Sequence, residues 1–335
     1  MPVPRLECVA HADGADADSR WRLFVSRAAP VISAVDWGTT RLRIWLLDAG
    51  GAVQAERRSD EGLLSAQPDK FSAILEKNLA AMGASSTLPV IVCGMAGSRQ
   101  GWIEAPYIDV PASFHDILAG AVRIADARRD IRIVPGVAQR LADVPDVMRG
   151  EETQLAGAAS LLGSGSHLAC MPGTHSKWVS MEDGAITGFS TFMTGELFSV
   201  LSGHSILSHS LGQSAQFSAG NEHFRSWCGH ALSDGDIASR LFRIRASTLL
   251  LGLQPEDAAA ALSGLLIGAE IASATNRFGK SATVALIASG LMRELYGAAL
   301  AMTGCRFATI DADEAVRAGL MEAARHCSMT DGAAG

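Results

Sequence analysis

The sequence predicts an α/β fold made of two similar halves, and three observations lead there. From Val31 onward, short apolar runs of strand character alternate with segments of helical period, the pattern of strands interleaved with helices. The order three strands, helix, strand, helix, strand, helix fits residues 31–163 and fits again from His167 to the end. Between them lies the Gly/Ser stretch GSGS, which sets a boundary near residue 165. The expected organisation is an N-terminal extension over 1–30, a first domain over 31–165 and a second over 166–335, with a ligand cleft between the domains.

The first half opens with strands around 31–36, 42–48 and 52–58, each alternating or continuously apolar. PDKFSAILEKNLAAM (68–82) places Pro near the first turn of an amphipathic helix with Phe71, Ile74, Leu75 and Leu79 on one face. LPVIVCG (88–94) reads as a buried strand, SFHDILAGAVRIADA (113–127) as a helix, IRIVPGV (131–137) as a strand and GEETQLAGAASLLG (150–163) as a helix. The second half repeats the plan with strands at 167–173, 177–183 and 185–192, then helices, the strand TVALIAS (283–289), a helix over 291–302, a short strand at RFATID and a last helix from about Ala312. PEDAAAALSGLLIGAEIASATNRF reads as one helix ended by Gly279.

With 48% hydrophobic and 19% charged residues over 335 positions, the chain has enough apolar material for two cores. A net charge of −7 argues against a general grip on nucleic acid or anionic membrane. Six scattered cysteines without a C-x-x-C pair point to free thiols in a reducing compartment. No uninterrupted apolar run reaches a membrane span, and acidic residues occupy the place of a signal-peptide core, so the cytoplasm is expected. The oligomeric state is left open, a homodimer included.

Two strand–turn–strand units carry the chemistry. In AVDWGTTRLRIW, Gly38 permits a tight reversal, Thr39 and Thr40 offer hydroxyls and backbone N–H groups to a phosphate, and Asp36 ends the first strand. In CMPGTHSKWV, Gly173 bends the turn, Thr174 and Ser176 offer hydroxyls and Lys177 a point charge. Either hairpin alone reads equally as a plain turn; two of them, each opening a similar half, suggest a shared ligand. Glu151 and Glu152 open a helix, where carboxylates favour the dipole, yet a carboxylate beside Arg149 near the domain junction also suits a general base for an alcohol. The loop GMAGSRQGWIEAPY supplies Arg99, Gln100 and Trp102, an arginine there being suited to a carboxylate. The strand–Gly290–helix bend lets backbone approach a nucleotide. ATNRFGKS lacks the first Gly of a Walker A loop and lies between helix and strand in the wrong order, so it is set aside. His204, His209, His223 and His230 do not share a helix face and make no metal motif.

Together these units resemble the actin, hexokinase and Hsp70 superfamily. Within it, GMAGSRQGW, RGEETQ, PGTHSKW and TFMTGELF resemble the 2-dehydro-3-deoxygalactonokinase family, from about Val31 to Ala324. The resemblance implies two ribonuclease H-like domains of the actin/hexokinase type flanking a cleft. It implies transfer of phosphate from ATP, with Mg²⁺, to the 6-hydroxyl of 2-dehydro-3-deoxy-D-galactonate in galactonate catabolism. Asp36 would then orient the water shell of Mg²⁺, and Gly38, Thr39 and Thr40 would contact the β- and γ-phosphates. Gly173, Thr174, His175, Ser176 and Lys177 would form the second phosphate loop, and Ser289, Gly290 and Leu291 would flank adenosine. Glu151 or Glu152 would be the base, while Arg99, Gln100, Trp102 and Arg149 would receive the sugar acid. Met171 stands near the place where the superfamily usually has an Asp, which leaves a second metal carboxylate without a candidate. A phosphohydrolase of the same superfamily and a non-catalytic sugar-sensing regulator are the competing readings.

Overall fold

The computed structural model describes residues 21–23, 29–66, 69–125, 128–212, 216–234, 236–279 and 283–330. The strands of the first half are β1 (Trp21–Leu23), β2 (Ile32–Trp37), β3 (Leu42–Leu47), β4 (Val53–Ser59), β5 (Val90–Gly94), β6 (Tyr107–Asp109), β7 (Ala112–Ser113), β8 (Val122–Arg123), β9 (Ile131–Ile133), β10 (Gly136–Gln139) and β11 (Asp146–Met148). Its helices are α1 (Phe71–Ala81), α2 (Phe114–Ala119) and α3 (Glu151–Leu162). The second half contributes β12 (Ser166–Met171), β13 (Ser176–Glu182), β14 (Ala185–Phe192), α4 (Thr194–His204), α5 (Glu222–Asp234), α6 (Ile237–Leu251), α7 (Pro255–Phe278), β15 (Val284–Ile287), α8 (Gly290–Thr303), β16 (Phe307–Ile310) and α9 (Ala312–His326).

One strand order recurs. The first sheet runs β1-β4-β3-β2-β5-β9-β8 and the third runs β16-β15-β12-β13-β14-β7. In each half the opening three strands form an antiparallel meander, β4-β3-β2 and β14-β13-β12. Two further strands then add in parallel beside the first, β5 and β9 next to β2, β15 and β16 next to β12. The inner parallel additions, β5 and β15, are the strands with continuous apolar runs and are buried throughout, whereas β16 at the sheet edge is partly exposed.

The helix pair α3 and α9 lies against the inner faces of both sheets: α3 meets β12 and β15, and α9 meets β2 and β5. The largest apolar cluster joins these helices to Ile32, Ala34 and Ile91 of one sheet and Ala169, Val179 and Ala285 of the other. The two helices approach so closely that a Cβ on Gly157 would fall 2.0 Å from Ala315 O, and one on Gly319 would fall 1.9 Å from Thr153 O. Outside the pair, α1 covers the first sheet around Trp37 and Phe71, while α5, α7 and α8 cover the other around Trp178. By length and composition α7 is apolar enough to cross a bilayer, but 89% of its most apolar window is buried in this fold.

Several expectations need correction. The helix read over 113–127 stops at Ala119, because Gly120 ends it and Val122–Arg123 instead pair antiparallel with β9. The strand read over 131–137 divides at Pro135, which has no N–H for a ladder, and its two pieces join different sheets. A three-stranded sheet, β11-β10-β6, was not expected: of its residues only Gly136 and Val137 fall in a segment read as strand. Residues 21–23 of the supposed extension pair with β4, the start of the 68–82 helix reading at Pro68 lies outside the described residues, and the chain halves exchange parts: β7 extends the third sheet and α9 packs on the first.

Candidate active site

The parallel registers bring four segment ends together. Trp37 lies opposite Gly94 at the end of β2, so the Gly38 turn adjoins Met95. Leu168 to Cys170 align with Val284 to Leu286, so the Gly173 turn and the Ser289–Gly290 bend leave the same edge of their sheet. A cavity of about 1120 Å³ opens between the halves, lined by Asp36, Gly38 and Thr39 from the first hairpin, Met171 to His175 from the second, and Arg149, Gly150, Glu151 and Gln154 from the start of α3. The cavity wall also carries Arg41, Arg43, Arg57, Arg58 and Lys77 against Asp60 and Glu61. In a chain of net charge −7, this local excess of cations suits an anionic ligand.

The first hairpin is held from below and from the side. Gly38 N–H donates to Arg41 O across the turn at 2.8 Å, and Leu63 and Leu64 N–H donate to Gly38 O and Thr39 O at 3.0 Å each. Asp36 is nearly buried and accepts from Arg43, which also donates to Asp313 at the start of α9; Asp313 further accepts from Arg58 at 2.6 Å. Thr40 turns away, toward a smaller pocket of about 470 Å³ lined with Arg41, Asp60, Leu64 and Ser65.

The second hairpin is shaped by α4. Glu196 N–H donates to Thr174 O at 3.0 Å, and its carboxylate pairs with the His175 ring. Gly195 is packed against the turn, where a Cβ would lie 2.5 Å from Gly173 O. Ser176, expected to face phosphate, is wholly buried instead: its hydroxyl bonds Tyr296 OH at 3.0 Å. Tyr296 OH donates to Glu270 at 2.6 Å, and Trp178 Nε1 donates to the same carboxylate at 2.8 Å. Burial pushes the Glu270 carboxyl above its usual range against these donors. Lys177 is also buried, with Nζ 3.8 Å from Glu151 Oε1.

The two glutamates differ. Glu151 lines the cavity and accepts from Arg149 N–H, just ahead of its helix, at 3.0 Å. Burial raises its carboxyl, opposed chiefly by Lys177. Glu152 is wholly buried, accepts from Gly150 N–H at 2.7 Å and Thr153 Oγ1 at 3.0 Å, and has its pKa raised to about 7 by burial and by Glu151. Glu152 therefore does not reach the cavity.

The sugar-acid candidates also separate. Arg149 lines the cavity, with Nη2 donating to Ala105 O at 2.8 Å and its guanidinium 4.3 Å over the Tyr107 ring. Its Nε and Nη1 are buried without an acceptor. Arg99 and Gln100 are exposed outside that lining, and Trp102 packs on Phe71 and Trp37 at ring separations of 6.0 and 6.3 Å. Ser289 caps α8 and donates to Asp311 at 2.8 Å, while Gly290 and Leu291 are exposed at the same sheet edge, outside the main cavity lining. No cluster of three His, Cys, Asp or Glu able to hold a metal occurs among the described residues. The cavity residues that sequence reasoning missed, above all Arg43, Arg57, Arg58 and Gln154, had a signal in the period-two spacing of Arg41 and Arg43 and in Gln154 lying one turn after Glu151.

Comparison with known proteins places this chain among sugar-acid kinases. Residues 36–323 match the family model described as 2-keto-3-deoxy-galactonokinase. The chain is 52% identical over 294 residues to the Rhizobium meliloti (strain 1021) protein named Probable 2-dehydro-3-deoxygalactonokinase DgoK1, covering 88% of this chain and 96% of that one. It is 36% identical over 291 residues to the Escherichia coli (strain K12) 2-dehydro-3-deoxygalactonokinase, covering 86% and 95%. A crystal structure from Sinorhizobium meliloti assigned the same activity superposes with a TM-score of 0.84 at 52% identity, covering 88% of this chain and 98% of that one. The Acidaminococcus fermentans (R)-2-hydroxyglutaryl-CoA dehydratase component A shares the fold at a TM-score of 0.50 and 13% identity, covering 88% and 98%.

Proposed function

The chain belongs to the 2-keto-3-deoxy-galactonokinase family, and on that premise we propose how its cavity divides the work of phosphoryl transfer. The protein is a sugar-acid kinase, 2-dehydro-3-deoxygalactonokinase by its relatives, and kinases of this family imply ATP as donor. The phosphohydrolase and regulator readings have no relative in their favour over the matched length. The acceptor is read as the 6-hydroxyl of 2-dehydro-3-deoxy-D-galactonate, and the reaction is assigned to galactonate breakdown in the cytoplasm.

The observation that carries this reading is the pair of glycine-bent hairpins, alike in topology, facing one cavity that also holds Asp36 and Glu151. Gly38 and Thr39 on one side and Gly173, Thr174 and His175 on the other take the phosphate tail. The Gly38 N–H closes its own turn onto Arg41 O, so the groups suited to oxyanions are the backbone N–H groups of Thr39, Gly173, Thr174 and His175 and the threonine hydroxyls. Thr40, Ser176 and Lys177 support these turns rather than line the main cavity. Ser289, Gly290 and Leu291 flank adenosine at the edge beside the second turn. We read the two sheets as two lobes meeting near residue 165, with α9 crossing back onto the first.

Mg²⁺ fits the donor set. A magnesium ion carried by nucleotide takes its oxygens mainly from phosphate and water and needs one or two protein carboxylates, not a protein cage. Asp36, at the cavity floor, is the carboxylate that would hold its water shell, and when bound the ion would neutralise phosphate charge. Glu151, rather than Glu152, is the group that takes the hydroxyl proton, since it alone of the two reaches the cavity. Burial raises its pKa, which makes it a stronger proton acceptor, and the Lys177 ammonium opposes that rise. Arg149 is the cavity arginine for the sugar-acid carboxylate, its guanidinium oriented by Ala105 O and the Tyr107 ring.

An ADP-release assay tests this directly. ATP with 2-dehydro-3-deoxy-D-galactonate is expected to yield ADP and phosphorylated sugar acid in equal amounts, with slower turnover of the C4 epimer. ADP released without phosphorylated acid would overturn the reading in favour of hydrolysis.

A further inference from the structure

Asp36 is linked to α9 through a line of alternating charges that the catalytic scheme does not use. Arg43 donates to both Asp36 and Asp313, and Asp313 shares its other oxygen with Arg58. Asp313 is itself fixed in place. Its N–H donates to Asp311, the residue that caps α9, and Asp311 also accepts from Ser289 at the head of α8. Residues 270 positions apart in the chain thus meet beside the carboxylate assigned to the cation, and one end of the line is anchored at the edge assigned to adenosine.

We propose that Asp313 is a positioning residue that sets how tightly the kinase holds a divalent cation with its nucleotide, by keeping Arg43 shared between two carboxylates. This rests on the reading of Asp36 as the cation carboxylate. A nearly buried carboxylate needs a countercharge in the free protein, and Arg43 supplies it. A divalent cation arriving at Asp36 then faces the guanidinium on the same carboxylate. With Asp313 in place, Arg43 keeps a full ionic partner and Asp36 is released to the cation's water shell. Without Asp313, Arg43 and Arg58 lose the anion between them, and Arg43 has Asp36 as its remaining carboxylate among its described contacts.

The test is calorimetric titration of Mg²⁺ into the protein–ADP complex, for wild type, Asp313→Asn, Asp313→Glu and Asp36→Asn, with thermal melts of each. Asp313→Asn is expected to weaken Mg²⁺ binding on the order of tenfold, leave the affinity for metal-free ADP within about twofold, and be largely rescued by Asp313→Glu. A merely structural role would lower the melting temperature and weaken ADP with and without metal alike, and that result overturns the proposal. So does wild-type Mg²⁺ affinity in Asp313→Asn while Asp36→Asn has lost it. Wild-type Mg²⁺ affinity in Asp36→Asn would remove the underlying reading of Asp36 as well. If Asp313→Asn does not fold, Asp313→Ser is read by the same two titrations: weakened Mg²⁺ binding with metal-free ADP affinity kept supports the proposal, and wild-type Mg²⁺ affinity overturns it.

Discussion

The two hairpins share a topology and differ in almost everything that meets a ligand. The first places a carboxylate, Asp36, within a chain of alternating charges that runs through Arg43 and Asp313 to Arg58. The second has Met171 near the equivalent place and rests on a buried hydrogen-bonded cluster of Ser176, Tyr296, Trp178 and Glu270. One corner therefore offers charge control and the other a rigid frame of backbone donors. The lesson is that a repeated fold unit fixes where two turns point, whereas the residues beneath each turn decide what it contributes.

The comparison breaks most sharply at the charged corner. Asp36→Asn is expected to reduce turnover by roughly 10³-fold or more while circular dichroism stays unchanged; near-normal turnover would make the two corners equivalent after all. Glu151→Gln is expected to lower kcat by about 10²-fold or more, measured at saturating ATP and sugar acid. Arg149→Ala should raise KM for the sugar acid roughly 10- to 100-fold, the cost of a charge-assisted hydrogen-bond pair, and Arg99→Ala should change it little, because Arg99 is exposed outside the cavity lining. At the framed corner, Glu270→Gln is expected to cost about 1–3 kcal/mol of stability and to raise KM for ATP severalfold with kcat nearly kept.

The smallest effect concerns pH. The Glu152 pKa rises from 4.5 to about 7 in the folded chain, so the native state holds this proton more tightly than the unfolded one. Its contribution to stability is complete below pH 4.5 and is lost as pH rises through about 7. Glu152→Gln should remove that loss, gaining on wild type by on the order of 1–3 kcal/mol between pH 5 and pH 8 in denaturant titrations. Equal pH slopes for both proteins would show that Glu152 is not the buried proton holder.

Much of this was legible in the sequence where the signal is local. Gly38 and Gly173 between apolar runs mark the two hairpins, and the strands of both meanders fall where the period-two patterns lie. The long α7 reads correctly from Pro255 to Phe278 because Pro, apolar faces and Gly279 all agree. What failed depended on distant partners. The helix after Ser113 was continued past Gly120 because helical residues follow it, yet β9 recruits them as a strand. The turn position of Ser176 suggests a ligand contact, but alternation alone does not tell which parity faces the cavity; Tyr296 and Glu270 decide it. Trp102 was read with the loop's ligand residues, and its ring instead completes the cluster with Phe71 and Trp37. Asp313 could not be singled out, because it lies in the last helix, 270 positions from the Arg43 it partners.

A crystal structure with a non-hydrolysable ATP analogue and Mg²⁺ tests the central claim most directly. The account predicts the phosphate tail held between Gly38–Thr39 and Gly173–His175, the cation beside Asp36, and adenine over the Gly290 bend. A triphosphate bound anywhere else, or one contacting a single hairpin, would contradict it.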